Sequence, residues 1–189
     1  MTLTLPGAPR RLSIAGVLLV LLAPASTAQV PADFSGTWKV NPQRSDDAKV
    51  QIEAAVGPEI TQQSGSRELE RVRLRHFMLD RAQEFRVIEI EQTAEEFKVI
   101  PADGNTAIFY FGREHVRNGL GGNLRCRTRW KDSQLIIEQE TEDKTRSVQL
   151  FTLLPGGKQM IQAIRFESKR FNTPLEVRLI YDRQPASGS

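Results

Sequence analysis

The chain has 189 residues, with 26 basic and 23 acidic side chains and a single cysteine. One cysteine excludes an internal disulfide, so stability has to come from packing. The near-even charge balance excludes a chain built to hold nucleic acid, which requires clustered Lys and Arg.

Residues 1–28 read as a leader. Arg10 and Arg11 supply a basic start, 12–23 (LSIAGVLLVLLA) an apolar run, and Ser26-Thr27-Ala28 the small residues a signal peptidase needs. Cleavage is expected after Ala28, through the Sec route, with the adjacent arginines also permitting a twin-arginine route. The apolar run is shorter than the roughly 20 residues of a membrane span, so a soluble periplasmic or secreted product without a transmembrane segment is expected. No cysteine stands at the cleavage site to accept a lipid. Without the leader, 161 residues remain with 24 basic and 23 acidic side chains. That size suits one domain with its own core, expected over 29–184, followed by a disordered polar tail at 185–189.

DFSGTWKV at 33–40 contains the first expected strand, with Gly36 and Trp38 flanking Thr37. Residues 45–82 then break the strand pattern. SDDAKVQIEAAVGPEI reads as a short helix capped by Ser45 or Asp46 and stopped at Gly57-Pro58. RELERVRLRHFMLDRAQ reads as a second helix capped by Ser66, with Leu69, Val72, His76 and Leu79 on one face. A strand is the competing reading there, since Val72, Leu74, His76 and Met78 also alternate. The two helices would cap one mouth of a barrel or pack outside it.

From about residue 82 onward, period-2 alternation broken by turn residues predicts strands. FRVIEIEQ and EFKVI flank a Thr93-Ala94 turn, and NTAIFYFG follows Ala102-Asp103-Gly104. The clearest hairpin is LRCRTRWKDSQLIIEQET, where an Asp132-Ser133 turn pairs Lys131 with Gln134. Trp130 then meets Leu135, Thr128 meets Ile137 and Cys126 meets Gln139 on an inner face. Arg127 meets Glu138 and Arg125 meets Glu140 on an outer one. A one-residue slip would destroy both matches. SVQLFTLL is expected to point Val148, Leu150 and Leu154 to the core. QMIQAIRFES contributes Met160, Ile164 and Phe166, and TPLEVRLIYDR contributes Leu175, Val177, Leu179 and Tyr181. About eight strands with short links predict an up-and-down antiparallel meander that closes into a barrel, a mainly β fold.

Candidate chemistry is sparse. His76 and His115 are far apart and lack ligand spacing, so no zinc site and no catalytic residue is assigned. His76 is read as a partly buried packing residue and His115 as a rim residue at a strand end. The GLGG at 119–122 precedes a strand instead of a helix, so it reads as a loop and not a phosphate cradle. Cys126 reads as a small core hydrophobe, and Arg125, Arg127 and Arg129 as a solvated outer stripe. The inward set of Trp130, Cys126, Thr128, Gln139, Gln162 and Tyr181 mixes polar groups with apolar walls. Those six are the candidate ligand-binding residues of a cavity. The competing reading, with a slight edge, is a filled or nearly filled barrel whose polar atoms bond each other.

DFSGTWKVNPQRSD followed by a meander ending in VRLIYDR resembles the lipocalin-like, calycin-style proteins of bacterial envelopes, over Asp33 to Arg183. Gly36-Thr37-Trp38 is similar to the lipocalin G-x-W signature. The resemblance implies that Arg183 packs over Trp38, making Gly36, Trp38 and Arg183 a closure group at one barrel end. It also implies no cofactor and a small hydrophobic ligand. The helical insert at 45–82 departs from typical lipocalins, as does the lack of a C-terminal helix. The leading expectation is a monomeric, non-enzymatic periplasmic protein that binds a small hydrophobic or amphipathic molecule or lipid. The alternatives are an envelope protein–protein interaction module using the insert and loops, and a small hydrolase or isomerase at the barrel mouth.

Overall fold

The computed structural model describes residues 31–57, 66–102, 105–119 and 122–185. The leader and its cleavage site, the Asp103-Gly104 turn and the last four residues of the tail lie outside them.

Among the described residues, ten strands and two helices follow in chain order: β1 (Gly36–Val40), α1 (Ala48–Val56), α2 (Ser66–Glu84), β2 (Val87–Gln92), β3 (Glu96–Pro101), β4 (Ala107–Tyr110), β5 (Glu114–Gly119), β6 (Gly122–Lys131), β7 (Gln134–Thr141), β8 (Arg146–Leu153), β9 (Gln159–Glu167) and β10 (Leu175–Arg183). All ladder pairings are antiparallel, in the order β4-β3-β2-β1-β10-β9-β8-β7-β6-β5. Because β1 pairs with both β2 and β10, the first strand joins the last. The expected meander therefore curls into a lipocalin-like barrel, with ten strands in place of about eight.

Closure is incomplete between β4 and β5, the two ends of the sheet order. Local contacts span that seam, among them a single bridge from Phe111 to Thr128, His115 Nε2 at 3.2 Å from the Ile108 carbonyl oxygen, and the Tyr110 ring edge-on to His115. His115 thus sits within β5, a strand the sequence reading did not count, and not at a rim. Of the GLGG segment, Gly119 and Gly122 pair across the β5–β6 hairpin. Leu120 and Gly121 lie outside the described residues.

The β6–β7 register is the expected one at every position, from Lys131 against Gln134 to Arg125 against Glu140. Cys126, Thr128, Leu135 and Ile137 are buried, while Arg125, Arg127 and Arg129 are exposed. The ion pairs, however, do not follow the β6–β7 register: Arg127 takes its direct partner on the other side, Glu114 of β5, and the other two pairs are diagonal. Arg125 and Arg127 both reach Glu114 of β5, at 3.4 and 3.2 Å, and Glu138 takes Arg129 at 3.2 Å. Long side chains on a twisted sheet reach diagonal partners as readily as direct ones.

The facing of β8 is opposite to expectation. Phe151 lies across from Leu135, Gln149 from Ile137 and Ser147 from Gln139, so these residues point inward. Val148 and Leu150 lie on the other face, only half-buried. The inner wall is polar at this point, so counting apolar residues chooses the wrong face.

The helices form for the expected reason but with different details. Asp47, not Ser45 or Asp46, caps α1, its carboxylate accepting from the Lys49 N–H at 2.9 Å. Ser45 and Asp46 instead bind the backbone of β10, accepting from the N–H groups of Ile180 and Arg178. Gly57 ends the helix at φ 94°, a conformation other residues rarely adopt. On α2, Leu69 is 52 % exposed and His76 is exposed, so of the expected face only its Leu79 end is packed into the core. Met78, Leu79 and Ala82 pack against Ile52, Ala55 and Val56 of α1 and against Leu175 and Val177. Leu175 and Val177 face into the barrel, so the helix pair caps one mouth. No helix among the described residues is long and apolar enough to cross a membrane.

Candidate functional site

The two ends of the barrel differ. Opposite the helices, Phe34, Trp38, Ile88, Ile90, Phe97, Leu135, Phe151, Met160 and Tyr181 form a closed core. Phe34 meets Phe97 edge-on and stacks on Trp130, with ring centroids 6.0 and 6.1 Å apart. Such offset and T-shaped aromatic pairs fill volume efficiently.

The closure group sits at this end. Trp38 and Arg183 are cross-strand partners, and the Arg183 guanidinium carbon lies 4.4 Å from the indole centroid. The same guanidinium donates to the carbonyl oxygens of Ser35 at 2.8 Å and Asp33 at 3.0 Å, while Trp38 Nε1 donates to the Phe34 carbonyl at 2.7 Å. Gly36 adopts φ 124°, and a Cβ there would stand 3.6 Å from Arg183 Nη1, an ordinary contact. The glycine is therefore required by backbone conformation and not by crowding.

Towards the helices the barrel is hollow. The cavity with its mouth measures about 1590 Å³. This corrects the slight preference for a filled interior: only the aromatic end is filled. Val177, Leu179, Ile164 and Phe166 line one wall, Val99, Ala107 and Phe109 another, and Phe77, Met78 and Leu79 of α2 lie over the opening. Charged side chains, among them Lys39, Arg73, Arg86, Asp143 and Arg170, line the same space, so it is amphipathic and not apolar throughout.

Of the six candidate cavity residues, Gln139 and Gln162 line this space. Cys126, Thr128 and Tyr181 are buried in the packed wall or core, and Trp130 belongs to the aromatic plug between Phe34 and Phe111. Sequence reasoning missed Ser147 and Gln149, which also line the cavity, because β8 was faced the wrong way. The register of β7 with β8 supplies the signal that finds them.

These polar residues form one connected chain. Gln162 Nε2 donates to Gln149 Oε1 at 3.0 Å, and Gln149 Nε2 donates to Gln139 Oε1 at 3.2 Å. Gln139 Oε1 also accepts from Ser147 Oγ at 3.0 Å, and Gln139 Nε2 lies 3.7 Å from Cys126 Sγ. At the other end the Tyr181 hydroxyl stands 3.0 Å from both Gln162 Oε1 and the Phe85 carbonyl oxygen, so its one proton serves one of them. Burial pushes the Tyr181 phenol far above its ordinary range, so it stays a neutral donor.

His115 is the other titratable group of note. Its burial at the seam lowers its pKa from 6.5, opposed by the Ile108 hydrogen bond and helped by Arg113 and Arg117. Among the described residues, no group of three His, Cys, Asp or Glu is placed to hold a metal ion.

No protein-family profile matches the chain, and no curated protein matches it. Solved structures do. The REP1-NXSQ fatty acid transporter is 13% identical with a TM-score of 0.52, covering 81% of this chain and 97% of its own. Secretory abundant heat soluble protein 4 from Ramazzottius varieornatus is 14% identical with a TM-score of 0.52, covering 84% of this chain and 100% of its own. A second such protein from the same organism is 8% identical with a TM-score of 0.52, covering 82% and 98%. At these identities the likeness is one of fold.

Proposed function

We propose that the protein is a non-enzymatic binder of a small hydrophobic or amphipathic molecule, held in the hollow half of the barrel. The observation that carries this reading is the roughly 1590 Å³ cavity, walled by apolar side chains and roofed by α1 and α2. Removing apolar ligand surface from water supplies about 25 cal/mol per Å², enough for useful affinity without any catalytic group. The fold shared with a fatty acid transporter is consistent with it. The leader places the protein in the periplasm or outside the cell in this proposal. The resemblance of its G-x-W strand and terminal YDR to the lipocalin-like proteins of bacterial envelopes supports this reading. Native mass spectrometry of protein purified from its own host tests the reading. A bound mass released on denaturation, of lipid or metabolite size, is the expected result; apoprotein alone would count against it.

A further inference from the structure

We infer that the ligand is an anionic amphiphile, held tail inward with its phosphate or carboxylate head at the helix-capped mouth. The inference rests on the binding role proposed above and adds the charge and the orientation of the ligand.

The charge follows from the lining. Among the described residues, Lys39, Lys49, Arg73, Arg86, Arg117 and Arg170 line the cavity and its mouth, against Asp46, Asp47 and Asp143. Six cations against three carboxylates leave an excess of three, in a chain whose expected mature form carries 24 basic and 23 acidic side chains. The chain itself engages the three carboxylates. Asp46 accepts from the Arg178 N–H at 2.8 Å, Asp47 from the Lys49 N–H at 2.9 Å, and Asp143 pairs with Arg170 at 3.4 Å. Arg73 and Arg86, by contrast, are exposed and, among the described residues, pair with no carboxylate. A neutral amphiphile would fill the tail space but leave these cations unmatched.

The orientation follows from where the cations stand. Lys39 lies near the end of β1, Arg86 just before β2, Arg117 near the end of β5 and Arg170 between β9 and β10. In the antiparallel order these strand ends meet at the helix-capped mouth, where Lys49 of α1 and Arg73 of α2 join them. Deeper inward positions are neutral. Gln149 lies between Ile137 and Ile164, and Gln162 between Phe151 and Leu179. A charged head seated there would lose its hydration with no opposite charge beside it, whereas at the mouth it stays wet and meets Arg73 and Arg86. An excess of one sign around a low-dielectric cleft also draws the opposite charge towards it. The apolar walls below then take the tail. Because the head stays in solvent, the width of the barrel limits the tail and not the head.

The test is displacement of N-phenyl-1-naphthylamine from the full mature chain at low salt, with every competitor below its micelle limit. Lauroyl lysophosphatidylglycerol, with an anionic head, and lauroyl lysophosphatidylcholine, with no net charge, share one tail. The anionic lipid is expected to displace the reporter at least about fivefold more effectively, the scale of one or two exposed charge pairs. That preference should fall to within about twofold in about 1 M salt, where the screening length is about 3 Å. It should fall likewise in the double variant Arg73→Gln, Arg86→Gln. Glycerol 3-phosphate, a head without a tail, should displace nothing. Equal displacement by the two lipids, or displacement by glycerol 3-phosphate, would overturn the inference, and neither result depends on a variant folding. So would a preference undiminished by salt or by the double substitution. Displacement by dodecanoate but by neither lysolipid would place the head inside the barrel and overturn the orientation. Failure of the reporter to bind the natural protein would instead remove the binding role itself, and this inference with it.

Discussion

The Arg183 guanidinium lies over the Trp38 indole, its carbon 4.4 Å from the ring centroid, across the ladder that joins the last strand to the first. The contact ties the two termini of the meander together. It also holds the 33–35 segment, because the same guanidinium donates to the carbonyls of Asp33 and Ser35. Lysine at this position keeps the charge but loses both the planar stack and the fork of donors. Arg183→Lys should therefore cost about 1–2 kcal/mol in urea denaturation. An unchanged midpoint would show that the stack contributes nothing.

Gly36→Ala tests the reason for the neighbouring glycine. The space tolerates a Cβ, 3.6 Å from Arg183, but the backbone at φ 124° does not suit one. A loss of about 1–3 kcal/mol is expected from conformation alone. If Arg183→Ala, which empties that space, rescued Gly36→Ala, crowding would be the cause after all.

The β6–β7 hairpin separates inner from outer roles. Trp130, half-buried between Phe34 and Phe111, should cost about 3 kcal/mol when replaced by Ala. Arg127, exposed and paired with Glu114, should cost under about 1 kcal/mol. Equal losses in chemical denaturation would contradict the assignment of faces.

How much of this was legible in the sequence depended on whether an element obeys the rule of apolar inside and polar outside. β6 and β7 obey it, with arginines opposite glutamates on one face and Trp130, Leu135 and Ile137 on the other, so their register followed by arithmetic. β8 does not, since Ser147 and Gln149 face the cavity, and it was read inside out. β5 carries one large apolar residue, Val116, and that one is exposed, so nothing in its pattern announced a strand. In α2 the apolar residues are spread round the helix. Which of them pack is decided by α1 and β10, elements distant in sequence. The cavity itself was illegible, because hollow and filled barrels draw on the same inward residue types.

The seam between β4 and β5 should make stability depend on pH. Burial lowers the folded-state pKa of His115 below 6.5, so the unfolded chain binds its proton first as pH falls. Stability from this group is complete above about pH 6.5 and is lost as pH drops from there through the folded value. Carboxylates such as Asp182, held down by hydrogen bonds from Gln159 and Asn41, lose theirs only lower, below about pH 4. Thermal midpoints between pH 7 and 5 should fall for the natural protein and stay flatter for His115→Gln. Parallel profiles would show that the imidazole is not what titrates.

A hollow barrel half that serves binding must admit an apolar molecule. Equilibrium titration with N-phenyl-1-naphthylamine tests it most directly, comparing the natural protein with Leu179→Trp. That substitution places an indole in the cavity from a position lining its wall. Saturable binding of one probe per chain, weakened at least about tenfold in Leu179→Trp at equal stability, is the predicted result. Absence of saturable binding, or equal binding by both proteins, would contradict it.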